Sequence, residues 1–198
     1  EGIGVFRHGY YVFGFDTDSM IPAGHVPSAY AVESIRIKVL TSAGFESPYD
    51  PTYDSAVSYL PADHPNHEED SDLGRPVELF GTGFRNDLDV LTWTEDAPYA
   101  PNAEADPSVF PAVMNEQGAM IDVSLAVDYG NPIDIMPFAT GIIQSAVPAD
   151  RIPEETWMEF DLDLRTSNAL AYVQQGLSEG RMMFTATGLS SGGHGERS

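Results

Sequence analysis

Cysteine is absent from the 198 residues, so no disulfide staples this fold and no thiolate serves as nucleophile or metal ligand. Basic side chains are scarce: nine Arg and Lys in all, with Lys38 the single lysine, against 31 Asp and Glu. The formal charge of −22 repels phosphate backbones and anionic lipid, which speaks against nucleic acid and membrane surfaces as partners. No apolar run approaches the roughly 20 residues of a membrane-spanning helix, so direct membrane insertion is not expected. No secretory signal is visible, and the chain opens at Glu1 as a processed form would, so export stands as an expectation. Common catalytic signatures are missing too. There is no H-E-x-x-H and no P-loop, and the G-x-S-x-G at 188–192 only mimics a nucleophile elbow. A glycosidase needs only two carboxylates at a set separation, but nothing here singles out a pair.

What the chain does hold is acid, turns and aromatics. The excess of carboxylates fits either solubility in salty surroundings, where screening relieves self-repulsion, or capture of divalent cations. With 18 Gly and 15 Pro the chain is rich in turns and short on long helices, and 42% apolar residues suffice for a core. These features predict an all-β fold, a jelly-roll-like sandwich with one short helix near the C-terminus. It would form a single domain over 1–189 with a flexible tail at 190–198.

The clearest stretch runs from Tyr10 to Leu40 and reads as a strand pair on which the later strands pack. Tyr10 to Phe15 is aromatic almost throughout, as suits a strand covered on both faces. From Ala31 to Leu40, Ile35, Ile37 and Val39 alternate with Ser34, Arg36 and Lys38, a period of two that buries one face. Between them Pro22, Gly24 and Pro27 forbid a regular element. Ser42 to Asp54 reads as loop, with Asp50 and Asp54 capping turns, and Ala62 to Asp72 as an exposed acidic loop. Further strands are expected within Gly74–Asn86, Leu88–Thr94, Met120–Val127, Ile133–Ile143, Glu155–Leu164 and Arg181–Thr187. Four prolines make Ala97 to Pro111 an irregular excursion. In Glu155–Leu164, Trp157, Glu159 and Asp161 share one face, while Met158, Phe160 and Leu162 share the other. One helix is expected after Ser167, which can cap it, with Leu170, Val173 and Leu177 as its stripe and Gly180 at its end.

The segment FDTDSMIPAG followed by VESIRIKVL resembles exported DNRLRE-like β-sandwich modules. The stretches GRPVELFGTGFRN, IDVSLAVD, MPFATG, FDLDL and AYVQQGLSEGRMMFTATGL are similar to secreted bacterial proteins that carry a C-terminal sorting tail. Together the likeness covers about residues 10–189, without the sorting tail itself. It implies a jelly-roll-like fold, export, and a role at the cell surface or in matrix, and it brings no catalytic residues.

Candidate sites follow from residue chemistry. Asp70 and Asp72, in a loop with His64 and His67, and Asp16 and Asp18, at the end of the first strand, are hard-oxygen donors that suit Ca2+. Turn capping is the commoner task for such residues. Trp93, Tyr99 and Trp157 offer flat platforms for a polysaccharide, with Arg85 and Asn86 as hydrogen-bonding neighbours, although tryptophans are more often packed away. The segment Ile3–Phe13 could add to the sheet edge of a second copy and build a homopolymer. The resulting expectation is a non-enzymatic extracellular structural subunit of surface, matrix or filament. A carbohydrate-binding adhesion module is the alternative.

Overall fold

A computed structural model describes residues 10–41, 45–98, 100, 106–125, 135–165 and 168–188. In chain order the elements are β1 (Tyr10–Asp16), β2 (Arg36–Thr41), β3 (Phe45–Pro48), β4 (Glu78–Phe84), β5 (Val109–Met114) and β6 (Met120–Asp122). They continue as β7 (Ala139–Thr140), β8 (Arg151–Ile152), β9 (Thr156–Asp161), α1 (Ala169–Glu179) and β10 (Arg181–Thr187). Short 3-10 turns cover Pro27–Ala29, Ala56–Tyr59 and Val123–Leu125. The antiparallel all-β class with one helix near the C-terminus is what the chain forms.

The largest sheet has the order β1-β10-β4-β5-β6, and β2-β9 and β3-β8 form two-stranded sheets. β4 is the branching strand. Gly81 pairs with Phe184 of β10 on one side and Ala112 of β5 on the other, while Leu79 pairs with Ala186 of β10 and with Ala139 of β7. The edge of β4 facing away from β10 is thus divided between β5 and β7. A bridge from Ile142 to Glu159 then links the β7 side to β9 and β2. A single hydrophobic cluster draws Leu79, Phe80 and Phe184 from the large sheet, Ile37, Met158 and Phe160 from β2 and β9, and Tyr172, Val173 and Leu177 from α1.

Tyr172 sets the geometry of the branch. Its hydroxyl accepts a hydrogen bond from the Thr82 N–H at 2.9 Å and donates to the Met183 carbonyl. Those two groups are the next partners in the β4–β10 register after Gly81 and Phe184, so the phenol stands in for a ladder bond and holds the strands apart. Burial keeps this phenol well above the ordinary tyrosine value, and it stays a donor. Gly81 makes the approach possible, since a Cβ there would lie 2.7 Å from the Tyr172 ring. Beyond the wedge opens a cleft of about 460 Å³, lined among others by Met114, Met120, Met182, Met183, Glu179 and Arg181.

Several expectations are corrected. β1 and β2 do not pair with each other: β1 lies against β10 and β2 against β9. Nor is β1 covered on both faces: Tyr11 is 64% exposed. Leu88–Thr94 is not a strand. The Asp89 carboxylate accepts from the N–H groups of Leu91 and Thr92 and from the Thr92 hydroxyl, closing a turn against the apolar pattern. The expected strand at Met120–Val127, whose residues 126 and 127 lie outside the described residues, stops at Asp122, whose Oδ1 accepts from Ser124 at the start of the 3-10 turn. Of that at Ile133–Ile143, residues 133 and 134 lie outside the described residues, and the described part holds only the two-residue strand β7. The loop at Ser42–Asp54 contains β3, and the irregular Pro-rich excursion ends in β5. Pro111 pairs with Thr82 of β4, and among the described residues β6 reaches only Ala112 to Met114, so the proline sits where β5 has a strand on one side alone.

The helix keeps its place but shifts its buried stripe to Ala169, Tyr172, Val173, Gly176 and Leu177, leaving Leu170 half-buried. Ser167 lies outside the described residues. Asn168 precedes the helix and donates its amide to the Met114 carbonyl at 2.7 Å. Gly180, at φ +83°, ends it in the left-handed conformation.

Candidate functional site

Among the described residues, one group of acidic side chains that could hold a metal ion lies where the loop 48–54 meets the loop 70–75. Tyr49 anchors the first loop. It is buried, its N–H donates to the Asp150 carbonyl at 2.6 Å, and its hydroxyl accepts from the Ile143 N–H at 2.8 Å. Asp50 follows directly and is therefore carried inward, to 2% exposure. Its Oδ1 accepts from the Thr52 N–H at 2.8 Å and the Thr52 hydroxyl at 2.7 Å, the expected turn cap. The second loop closes onto it through Gly74. At φ +119°, and with a Cβ there only 2.7 Å from the Pro48 carbonyl oxygen, this position admits glycine alone.

That closure brings Arg75 and the two sequence-predicted donors, Asp70 and Asp72, to Asp50 and Asp54. One oxygen from each of the four aspartates lies within 4.8 Å of the others. Arg75 donates to Asp54 at 2.6 Å, to Asp70 at 3.1 Å and to the Ser58 hydroxyl at 3.1 Å, and its guanidinium lies over the Tyr59 ring at 4.3 Å. The Thr52 hydroxyl, already 2.7 Å from Asp50, is also 3.0 Å from Asp72. It has one proton for two carboxylates. Burial pushes the Asp54 carboxyl above the ordinary carboxylate range; the Arg75 hydrogen bond opposes this and the charges of Asp50 and Asp70 add to it. The sequence reading missed Asp50 and Asp54 as members of the set. A usable signal was Arg75, the only basic residue between Lys38 and Arg85, in the most acidic part of the chain.

The other predicted donors go elsewhere. Asp16 lies 3.3 Å from Arg181, and Asp18 packs beside Gly180, at the C-terminal end of α1. There the connection after β1 satisfies the helix end: Thr17 N–H donates to the Gly180 carbonyl and Gly24 N–H to that of Ser178, both at 2.8 Å. His64 and His67 do not join the four aspartates.

The predicted ligand residues are not brought into one platform. Trp93 is half-buried in the turn after β4, and its N–H donates to the Asp89 carbonyl. Tyr99 lies outside the described residues. Arg85 is held by Asp122 and the Pro107 carbonyl and lies 4.0 Å above the Phe110 ring, while the Asn86 amide donates to the Ser108 hydroxyl. Trp157 is different. It is 56% exposed on β9, opposite Leu40 of β2, itself 48% exposed. Beside this apolar pair stand Lys38 with Glu159 and Arg36 with Asp161, each pair joined at 2.6 Å.

At the far end of the large sheet, β1 pairs with β10 along its whole length, from Tyr10–Thr187 to Asp16–Arg181. Its opposite edge has no strand partner among the described residues. Tyr11, Phe13 and Phe15 share a face there, Tyr11 mostly exposed, Phe13 packed on the core and Phe15 meeting Phe184 edge-on at 6.2 Å. No helix among the described residues is long and apolar enough to cross a membrane. Comparison of the chain with protein-family models, with curated proteins and with solved structures returns no match.

Proposed function

We propose that this chain is a non-enzymatic structural subunit of an extracellular surface, matrix or filament, built by self-association of its sheet. The observation that carries the reading is the seven-residue edge of β1, unpaired among the described residues and bearing the exposed Tyr11. An open edge presents a row of unused N–H and C=O groups, the template on which a strand of a second copy adds. The segment Ile3–Phe13 is the proposed donor. Its residues from Tyr10 onward belong to β1 and pair with β10 of the same chain, and those before Tyr10 lie outside the described residues. The resemblance to exported sandwich modules and the strongly acidic composition agree with such a role. Light scattering and electron microscopy test it. Concentration-dependent assemblies are expected from the native chain, and Tyr11→Lys, a charge placed on the edge strand, should suppress them. A monomer at every concentration would overturn the proposal.

A second reading, carbohydrate binding and adhesion, has one observation in its favour: the exposed Trp157 with Leu40 beside hydrogen-bonding charged pairs. It predicts that a polysaccharide shifts the tryptophan fluorescence and that Trp157→Ala removes both shift and binding.

A further inference from the structure

We infer that Asp50, Asp54, Asp70 and Asp72 form a binding site for one hard divalent cation, for which calcium is the best match. Four carboxylates within 4.8 Å do not by themselves make such a site, since acidic loops are common in so acidic a chain. The deciding observation is Asp50. It is 2% exposed, its Oδ1 is engaged by Thr52, and its Oδ2 is sealed from solvent with no hydrogen-bond partner. A buried carboxylate oxygen without a partner forfeits its hydration for nothing. The side-chain donors seen on these aspartates among the described residues are already engaged. Arg75 is spent on Asp54, Asp70 and Ser58, and the single Thr52 proton is already divided between Asp50 and Asp72. The Tyr59 hydroxyl, beneath Arg75, is likewise buried without a partner. One guanidinium therefore faces four carboxylates in a place closed to water on its Asp50 side, and a cation there removes the deficit directly.

The donor set fixes the class of ion. Every candidate ligand is oxygen, cysteine is absent, and the histidines of the neighbouring loop stay out of the cluster, so zinc and copper lack their preferred nitrogen and sulfur. Calcium takes about six to eight oxygens in irregular geometry, whereas magnesium demands a near-octahedral shell and keeps its waters. Donors from two loops about twenty residues apart suit the larger, more tolerant ion. Binding would also reinforce the Arg75–Asp54 and Thr52–Asp72 contacts that already hold the 48–54 loop against the 70–75 loop.

The test is titration of chelator-treated protein with calcium, followed by calorimetry and by thermal unfolding. We expect one ion per chain and a midpoint that climbs with calcium concentration, because the ion binds the folded state alone. Asp72→Asn alters an exposed residue and leaves the fold intact; it should weaken calcium binding on the order of tenfold by removing one charged ligand. Asp50→Asn keeps the Oδ1 turn and should abolish the calcium-dependent shift. The inference is overturned by an unfolding midpoint indifferent to millimolar calcium, by several weak ions whose binding ignores both variants, or by zinc binding in preference to calcium.

Discussion

On the outer face of β2 and β9, Arg36 meets Asp161 and Lys38 meets Glu159 across the strands, one cation to one anion, with water at hand. Between the 48–54 and 70–75 loops, Arg75 serves two aspartates of a group of four, and the Asp54 side chain it holds is only 1% exposed. The first arrangement is complete in itself. Its ions give up little hydration and gain little, so their main service is to mark the register of the two strands. The second gives up hydration and leaves part of the charge unanswered, which makes it sensitive to anything that changes the count of cations.

The comparison breaks most visibly at Arg75. Arg75→Met should cost about 3–5 kcal/mol in urea unfolding without calcium, since it strands buried carboxylates. Added calcium should recover part of the loss. Lys38→Met, by contrast, should cost only about 0.2–1 kcal/mol, and the loss should fade as salt is raised, while that at Arg75 persists. The smallest effect belongs to pH. The Arg36 hydrogen bond holds the Asp161 carboxyl below its ordinary range. Because the folded-state value is the lower one, the contribution of this pair is present above the ordinary carboxylate pKa and is lost as pH falls through the folded value. Asp161→Asn should flatten the stability curve below the ordinary carboxylate value near 3.9.

Local patterns were legible where one element satisfies them alone. The two-residue alternation in β9 correctly separated buried Met158 and Phe160 from exposed Trp157, and Arg181–Thr187 was readable as a strand from end to end. Gly180 stopped the helix as read. What failed was decided by distant partners. β1 looks doubly covered by composition, yet with β10 as its one strand partner among the described residues it leaves Tyr11 mostly exposed. β5 was hidden by Pro111, which lies beyond the residues of β5 that β6 pairs among the described residues. The acidic site was half legible. Asp70 and Asp72 stood out in a charged loop, whereas Asp50 and Asp54 looked like turn caps, and Asp50 does cap a turn with one of its two oxygens. Only the closure at Gly74 shows that the other oxygen is buried.

The most direct test of this account is a crystal structure of the chain grown with calcium. The account predicts one strong anomalous peak among the four aspartates, bound by Asp50 Oδ2 at the roughly 2.3–2.6 Å of a calcium–oxygen bond, with Arg75 still on Asp54. An Asp50 that instead turns to water or to Arg75, in a pocket without an ion, would contradict it.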